Sequence, residues 1–369
     1  MKSRRAILLL IVFGAGCAPR DGHPASDAET SLQNGVRYLW SRQQRDGGWH
    51  SNTYGLLRSG QSLTPFILDA LLGAGAGARP HPPEQVDRAV KFLLNSIDGA
   101  GAMGRGDPLV ADYPNYATSL GIRALARAQR IRPRPGAAEA IRRAAAWLSS
   151  QQLTEQNGWQ PDHPAYGAWG IGGDRRTPPE PGHVDLSMTR HVLQALAAAG
   201  VPAGDAVFSR AAIFLGRCQN PDGGFIFSTV VLDANKAGKE GSRLRSYGTA
   251  TADGILALLA AGASREDARV AAAAKWLASR HQGILAPGFP GPMYQRWAEG
   301  LKLYYAAAGA EAFRALEAAP GPGVPQHLVK TQRRDGSWAN AESLVKEDDP
   351  LIATGLAVKA LASSLTAVY

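Results

Sequence analysis

"RYLWSRQQRDGGW", residues 37–49, runs an amphipathic stretch through two glutamines into a glycine turn that ends on Trp49. The arrangement recurs. Aligned on the leucine before the glutamines, Leu39, Leu93, Leu148, Leu215, Leu277 and Leu328 each sit in a helix-like run, and four residues on stand Gln43, Ile97, Gln152, Gln219, His281 and Gln332. An aromatic residue or methionine follows in five copies: Trp49, Met103, Trp159, Phe225 and Trp338. Internal repeats of this length mean units that cannot bury an apolar face alone and must stack on their neighbours.

Each copy continues into a second helical stretch. "TPFILDALL", "TSLGIRALA", "TRHVLQALA", "TADGILALL", "WAEGLKLYY" and "TGLAVKALA" begin at Thr64, Thr118, Thr189, Thr251, Trp297 and Thr354. The eighth residue of each is apolar or aromatic: Leu71, Leu125, Leu196, Leu258, Tyr304 and Leu361. Seven residues are two helical turns, so threonine and leucine share a face. Gly73, Gly200 and Gly262 end their helices where a left-handed cap favours glycine. The chain is therefore expected to be all-α, with about six helix pairs.

These stretches resemble a known family. The copies Gln43–Trp49, Gln219–Phe225 and Gln332–Trp338 look like the QW motifs of squalene-hopene cyclases. The six-pair count resembles the alpha-alpha toroid of terpenoid cyclases and protein prenyltransferase beta subunits. "HVDLSMTRHVLQAL" and "SYGTATADGILALL" are similar to the prenyltransferase and squalene-oxidase repeat proteins of bacterial exported lipoproteins. The resemblance implies a toroid over residues 31–369, glutamines that cap helix ends, and turn tryptophans (Trp49, Trp159, Trp338) that staple outer helices together. It does not by itself imply an activity, because one fold hosts several chemistries.

The first sixteen residues have the layout of an export signal: Lys2, Arg4 and Arg5, the apolar run Ala6 to Phe13, then Gly14, Ala15 and Gly16 before Cys17. The run is too short to span a bilayer. Its end resembles a bacterial lipobox, which implies lipidation at Cys17, although Gly14 stands where a leucine is usual. Residues 17–30 are expected to be a flexible tether, and the protein an exported, membrane-anchored lipoprotein of the cell envelope. Removing residues 1–16 takes three positive charges from a formal +9. The remaining arginines are scattered over helix faces without a dense tract, which speaks against nucleic-acid binding. One further cysteine, Cys218, excludes a disulfide framework.

Function is expected where the connections lengthen. From the turn aromatic to the second-helix threonine, the third and fourth copies span 30 and 26 residues against 15 in the first two. In class II terpene cyclases an Asp-x-Asp-Asp motif opens an inner helix and supplies the proton. Here His183-Val184-Asp185-Leu186 occupies that place and only Asp185 matches, so the resemblance makes it the candidate acid. As a residue it also reads as a helix N-cap. The zinc of a prenyltransferase would need an Asp-x-Cys pair, which the chain lacks. Asp162, His163, His183 and Asp185 have no ligand spacing, and no metal or cofactor is expected. Glu347-Asp348-Asp349 before Pro350 reads as a helix cap. No Gly-x-Ser-x-Gly elbow is present.

What remains is a row at one end of the ring. Tyr116, His183, Tyr247, Thr251 and Trp297 are expected to contact a ligand. The leading function is binding of an apolar, isoprenoid-like molecule, or of an envelope protein or glycan, in the central cavity or at its rim. The alternatives are a divergent cyclase using Asp185 and a carbohydrate-active lyase or hydrolase on the same fold.

Overall fold

The computed structural model describes residues 26–366 except 76–80, 108, 111 and 319–322. The signal segment and Cys17 lie outside the described residues. Six inner helices, α2 (Leu63–Gly73), α4 (Pro114–Ile131), α6 (Leu186–Ala198), α8 (Gly248–Ala260), α11 (Lys302–Ala315) and α13 (Pro350–Thr366), pack side by side. α13 returns to α2, so the ring is closed. Outside it stand α1 (Asp27–Ser41), α3 (Pro83–Ser96), α5 (Ala137–Ser150), α7 (Ala206–Cys218), α9 (Ala268–Arg280) and α12 (Val324–Thr331). A short extra helix, α10 (Gly291–Gly300), interrupts the fifth connection, and a hairpin of β1 (Lys239–Glu240) and β2 (Arg243–Leu244) the fourth. No helix among the described residues is long and apolar enough to cross a membrane.

The six leading leucines are fully buried, as are Leu71, Leu125, Leu196 and Leu361 of the inner row. The repeated turn explains how one pair is fixed to the next. Gln43 Nε2 donates to the Gly47 carbonyl of its own turn and to the Gln85 carbonyl on α3, both at 2.9 Å. Gln152 bridges Gly167 to Val207 on α7, and Gln219 bridges Gly223 to Arg269 on α9. Gln332 joins Gly336 to Ser31 on α1, which sews the last copy to the first. Each amide thus ties a turn carbonyl to a carbonyl near the start of the next outer helix, which fixes one pair to its neighbour. The turn glycine is needed on two counts. Gly47 has φ +93°, and a Cβ there would run into the Arg88 carbonyl on α3; Gly101, Gly167, Gly223 and Gly336 stand the same way against their neighbours.

The threonine row has a structural duty. Thr64, Thr118, Thr251 and Thr354 accept through Oγ1 the N–H of Trp49, Met103, Phe225 and Trp338 at 2.9–3.1 Å. In the third copy Thr189 stands opposite Trp169, not Trp159. Trp169 Nε1 donates to the Leu148 carbonyl at 2.7 Å, as Trp49 does to Leu39 and Trp338 to Leu328. The staple of this copy is therefore Trp169, and most of the extra residues lie inside the turn, between Gln152 and Gly167. Trp159 is buried within that insertion and donates to the Arg176 carbonyl.

Two other expectations change. The fifth inner helix starts at Lys302, and Trp297 belongs to α10. Tyr305, whose N–H reaches the Leu301 carbonyl and whose hydroxyl lies 2.7 Å from His281 Nδ1, takes the threonine position, and buried Ala312 takes the leucine position assigned to Tyr304. The expected tether also ends early. α1 begins at Asp27 because Ser26 and Glu29 form a reciprocal capping box, so residues 27–30 are helical.

Candidate functional site

All inner helices begin on the face that carries the turns, and there the ring opens into a cavity of about 560 Å³. Leu63 and Phe66 of α2, Leu120 of α4, Leu186 of α6, Leu301 before α11 and Ile352 of α13 give it an apolar wall. The long third and fourth connections close over the same mouth. They are bonded to each other: Leu186 N–H donates to the Phe227 carbonyl at 2.9 Å and Ser228 Oγ to the Val184 carbonyl at 2.6 Å.

Asp185, His183, Tyr116, Tyr247 and Trp297 all line this cavity. Thr251 does not: fully buried, it spends its hydroxyl on the Tyr247 carbonyl and the Phe225 N–H. Asp185 does two things. One carboxylate oxygen caps α6 by accepting the Met188 N–H at 2.8 Å, and the other lies 3.2 Å from His183 Nε2 at the mouth. Asp162 and His163 sit apart from this pair on the inserted turn. His163 Nδ1 accepts the Ala165 N–H, and no group of three or more His, Cys, Asp or Glu fit for a metal occurs among the described residues.

Below the apolar wall lies a charged layer. Arg190 of α6 reaches Asp253 on α8 at 3.2 Å and Glu311 on α11 at 2.6 Å. Across the ring Asp69 of α2 receives Arg127 at 2.9 Å, Lys359 at 3.1 Å and Arg123 at 3.4 Å. Arg123 and Gln194 also contact Glu311, so the two halves are continuous. Burial works against both Asp69 and Glu311, but the surrounding cations hold them below the usual carboxylate range. His191, buried and beside Arg190, is held well below its ordinary value and stays neutral.

Four members of this layer share one repeat position. Asp69, Arg123, Gln194 and Lys359 are the sixth residues of "TPFILDALL", "TSLGIRALA", "TRHVLQALA" and "TGLAVKALA". A polar residue recurring inside an otherwise apolar segment was the available signal, since an isolated buried charge is too costly to recur without partners.

Asp253 differs from the other acids of the layer. Its carboxylate accepts the Tyr304 hydroxyl at 2.9 Å, Tyr304 meets Ser187 Oγ at 2.7 Å, and Ser187 meets Tyr116 at 2.7 Å, a hydroxyl chain along the cavity wall. Burial pushes Asp253 up to about 6, because Arg190 and Tyr304 only partly offset it. A raised carboxyl favours the fold most when protonated. That contribution is complete below its ordinary value of 3.8 and is lost as pH rises through about 6. The advantage in melting temperature of the wild type over Asp253→Asn is therefore expected to shrink across that interval. Thermal unfolding of both proteins at a series of pH values checks it, and a difference constant with pH would refute it.

No family model matches the chain, and no curated protein sequence matches it. Solved structures do. The apo type II terpene cyclase MstE from Scytonema superposes with a TM-score of 0.57 at 14% identity, over 93% of this chain and 99% of that one. A variant of that enzyme holding its substrate, geranylgeranyl dihydroxybenzoate, gives 0.58 at 15%, over 93% and 98%. The unsaturated glucuronyl hydrolase of Bacillus sp. GL1 gives 0.51 at 13%, over 93% and 82%. At these identities the likeness is one of fold: the chain is an alpha-alpha toroid.

Proposed function

We propose that this alpha-alpha toroid binds an elongated, largely apolar molecule of isoprenoid type in its central cavity. The supporting observation is a cavity of about 560 Å³ with an apolar wall above an ion-paired charge layer. Such a volume suits a small organic ligand, and apolar walls favour one that leaves water. The terpene cyclase of the same fold takes an isoprenoid-bearing substrate. Sugar binding is less favoured, because an apolar wall leaves most sugar hydroxyls without partners. Export and anchoring through Cys17 form part of the proposal and rest on the sequence of residues 1–17 alone.

The test is native mass spectrometry of the chain without its first eighteen residues, followed by uptake of geranylgeraniol. Retention or uptake is expected. Ala308→Phe, which puts a ring into the α11 wall, is expected to weaken uptake by about tenfold or more, since filling the site leaves the ligand less surface to bury. An empty wild type that takes up no isoprenoid overturns the reading.

A second reading is favoured by the raised carboxyl of Asp253. An acid that still carries its proton near pH 6 in an apolar cavity could protonate a ligand double bond, its carboxylate then resting beside Arg190 and Tyr304. Both acids are engaged, Asp185 by the α6 N-terminus and His183 and Asp253 by Arg190 and Tyr304, so the case for Asp253 rests on its burial against the cavity.

A further inference from the structure

Two lysines that line the cavity stand outside the charge layer: Lys346, over the Tyr54 and Tyr113 rings, and Lys236. Lys236, on the fourth connection, lines the wall with its Nζ 3.3 Å above the Phe227 ring centre and 6.0 Å from that of Trp297. Its one hydrogen bond among the described residues goes to the Ala234 carbonyl, at 3.2 Å. It forms no ion pair there, whereas Arg190, Arg123, Arg127 and Lys359, the deeper cations, each hold a carboxylate. A lysine held between aromatic rings keeps N–H donors to spare, and in an apolar cavity only a ligand or water can take them.

We infer that the ligand is an amphiphile with a carboxylate head, seated so that its acid group pairs with Lys236 while its chain lies along the apolar wall. The inference rests on the apolar-ligand reading above and adds the head group. A single negative charge fits better than a phosphate dianion. The carboxylates of Asp185 and Asp253 are near enough to Lys236 to act on it, so a second negative charge on the head group would meet them. Their attraction does not fully offset burial, which lowers Lys236 to about 8, so the ammonium is still charged at neutral pH. The pairing would be a charge-assisted hydrogen bond in a partly dried site, where such bonds are strongest.

The experiment compares two probes with one chain, geranylgeranoic acid and geranylgeraniol, by calorimetry on the protein lacking its first eighteen residues. The acid is expected to bind the wild type about tenfold more tightly than the alcohol at pH 7, the scale of one charge-assisted pair. Lys236→Gln is expected to abolish that preference by weakening the acid about tenfold relative to the alcohol, and Lys236→Arg to keep it. Equal affinities for acid and alcohol in the wild type, or a preference that survives in Lys236→Gln, would overturn the head-group inference and leave the apolar reading standing. Binding of neither probe would overturn both.

Discussion

Asp69→Ala is expected to destabilise the protein by about 3–5 kcal/mol, the scale for breaking a buried ionic cluster by removing one partner. Asp69 is 1% exposed and is the acid on which Arg123, Arg127 and Lys359 converge from α4 and α13. Its loss leaves Arg127 and Lys359 without their carboxylate and Arg123 with that of Glu311 alone. Asp69→Asn, which keeps the shape and loses the charge, should cost nearly as much. Adding Lys359→Met to Asp69→Asn should recover part of the loss by removing one stranded charge. Urea unfolding measures all three. A loss below about 1 kcal/mol for Asp69→Ala, the range of solvent-exposed pairs, would mean that the layer is wet and contributes little.

The second large effect is at Trp169. Trp169→Ala removes the fully buried indole of a residue bonded to both helices of the third pair, and about 3–5 kcal/mol is expected for such a cavity. The sharper comparison is with phenylalanine. Trp169→Phe takes the 2.7 Å indole donor from the buried Leu148 carbonyl and leaves it only the Gln151 N–H at 3.1 Å, at about 1 kcal/mol. Trp159→Phe frees only the carbonyl of exposed Arg176, which water can serve. Chemical denaturation should therefore rank Trp169→Phe as the more damaging of the two, and the reverse order would restore Trp159 as the staple.

The sequence carries the ring because its joints repeat. Leucine, glutamine, turn glycine and threonine each make the same contact in most copies, so spacing alone exposes them. It misleads where a copy departs from the rule. Nothing in "GWQPDHPAYGAW" says which tryptophan meets Leu148; that depends on Gly167 fitting against Arg210, a contact between copies. In the fifth copy, Tyr305 and His281 replace threonine and glutamine with a different bond, and the register slipped onto α10. The site is legible in the same uneven way. Asp185, His183, Tyr116 and Tyr247 stand at helix starts, which the repeat locates. Asp253 and Lys236 gain their character from burial, which no spacing encodes. Thr251 shares the helix face that spacing assigns to the cavity, but its hydroxyl is consumed by the backbone of its own joint.

The closing joint is of the same kind as the others. Gln332 reaches Ser31 as Gln43 reaches Gln85, and Trp338 and Thr354 repeat the pairing of Trp49 and Thr64. α13 ends and α1 begins on the face where every other inner helix hands over to the next outer one, a passage that takes seven residues between α6 and α7. The ring therefore has no energetic beginning. A circularly permuted chain, joined from α13 to α1 and opened between α6 and α7, would keep the glutamine, tryptophan and threonine joints of every copy.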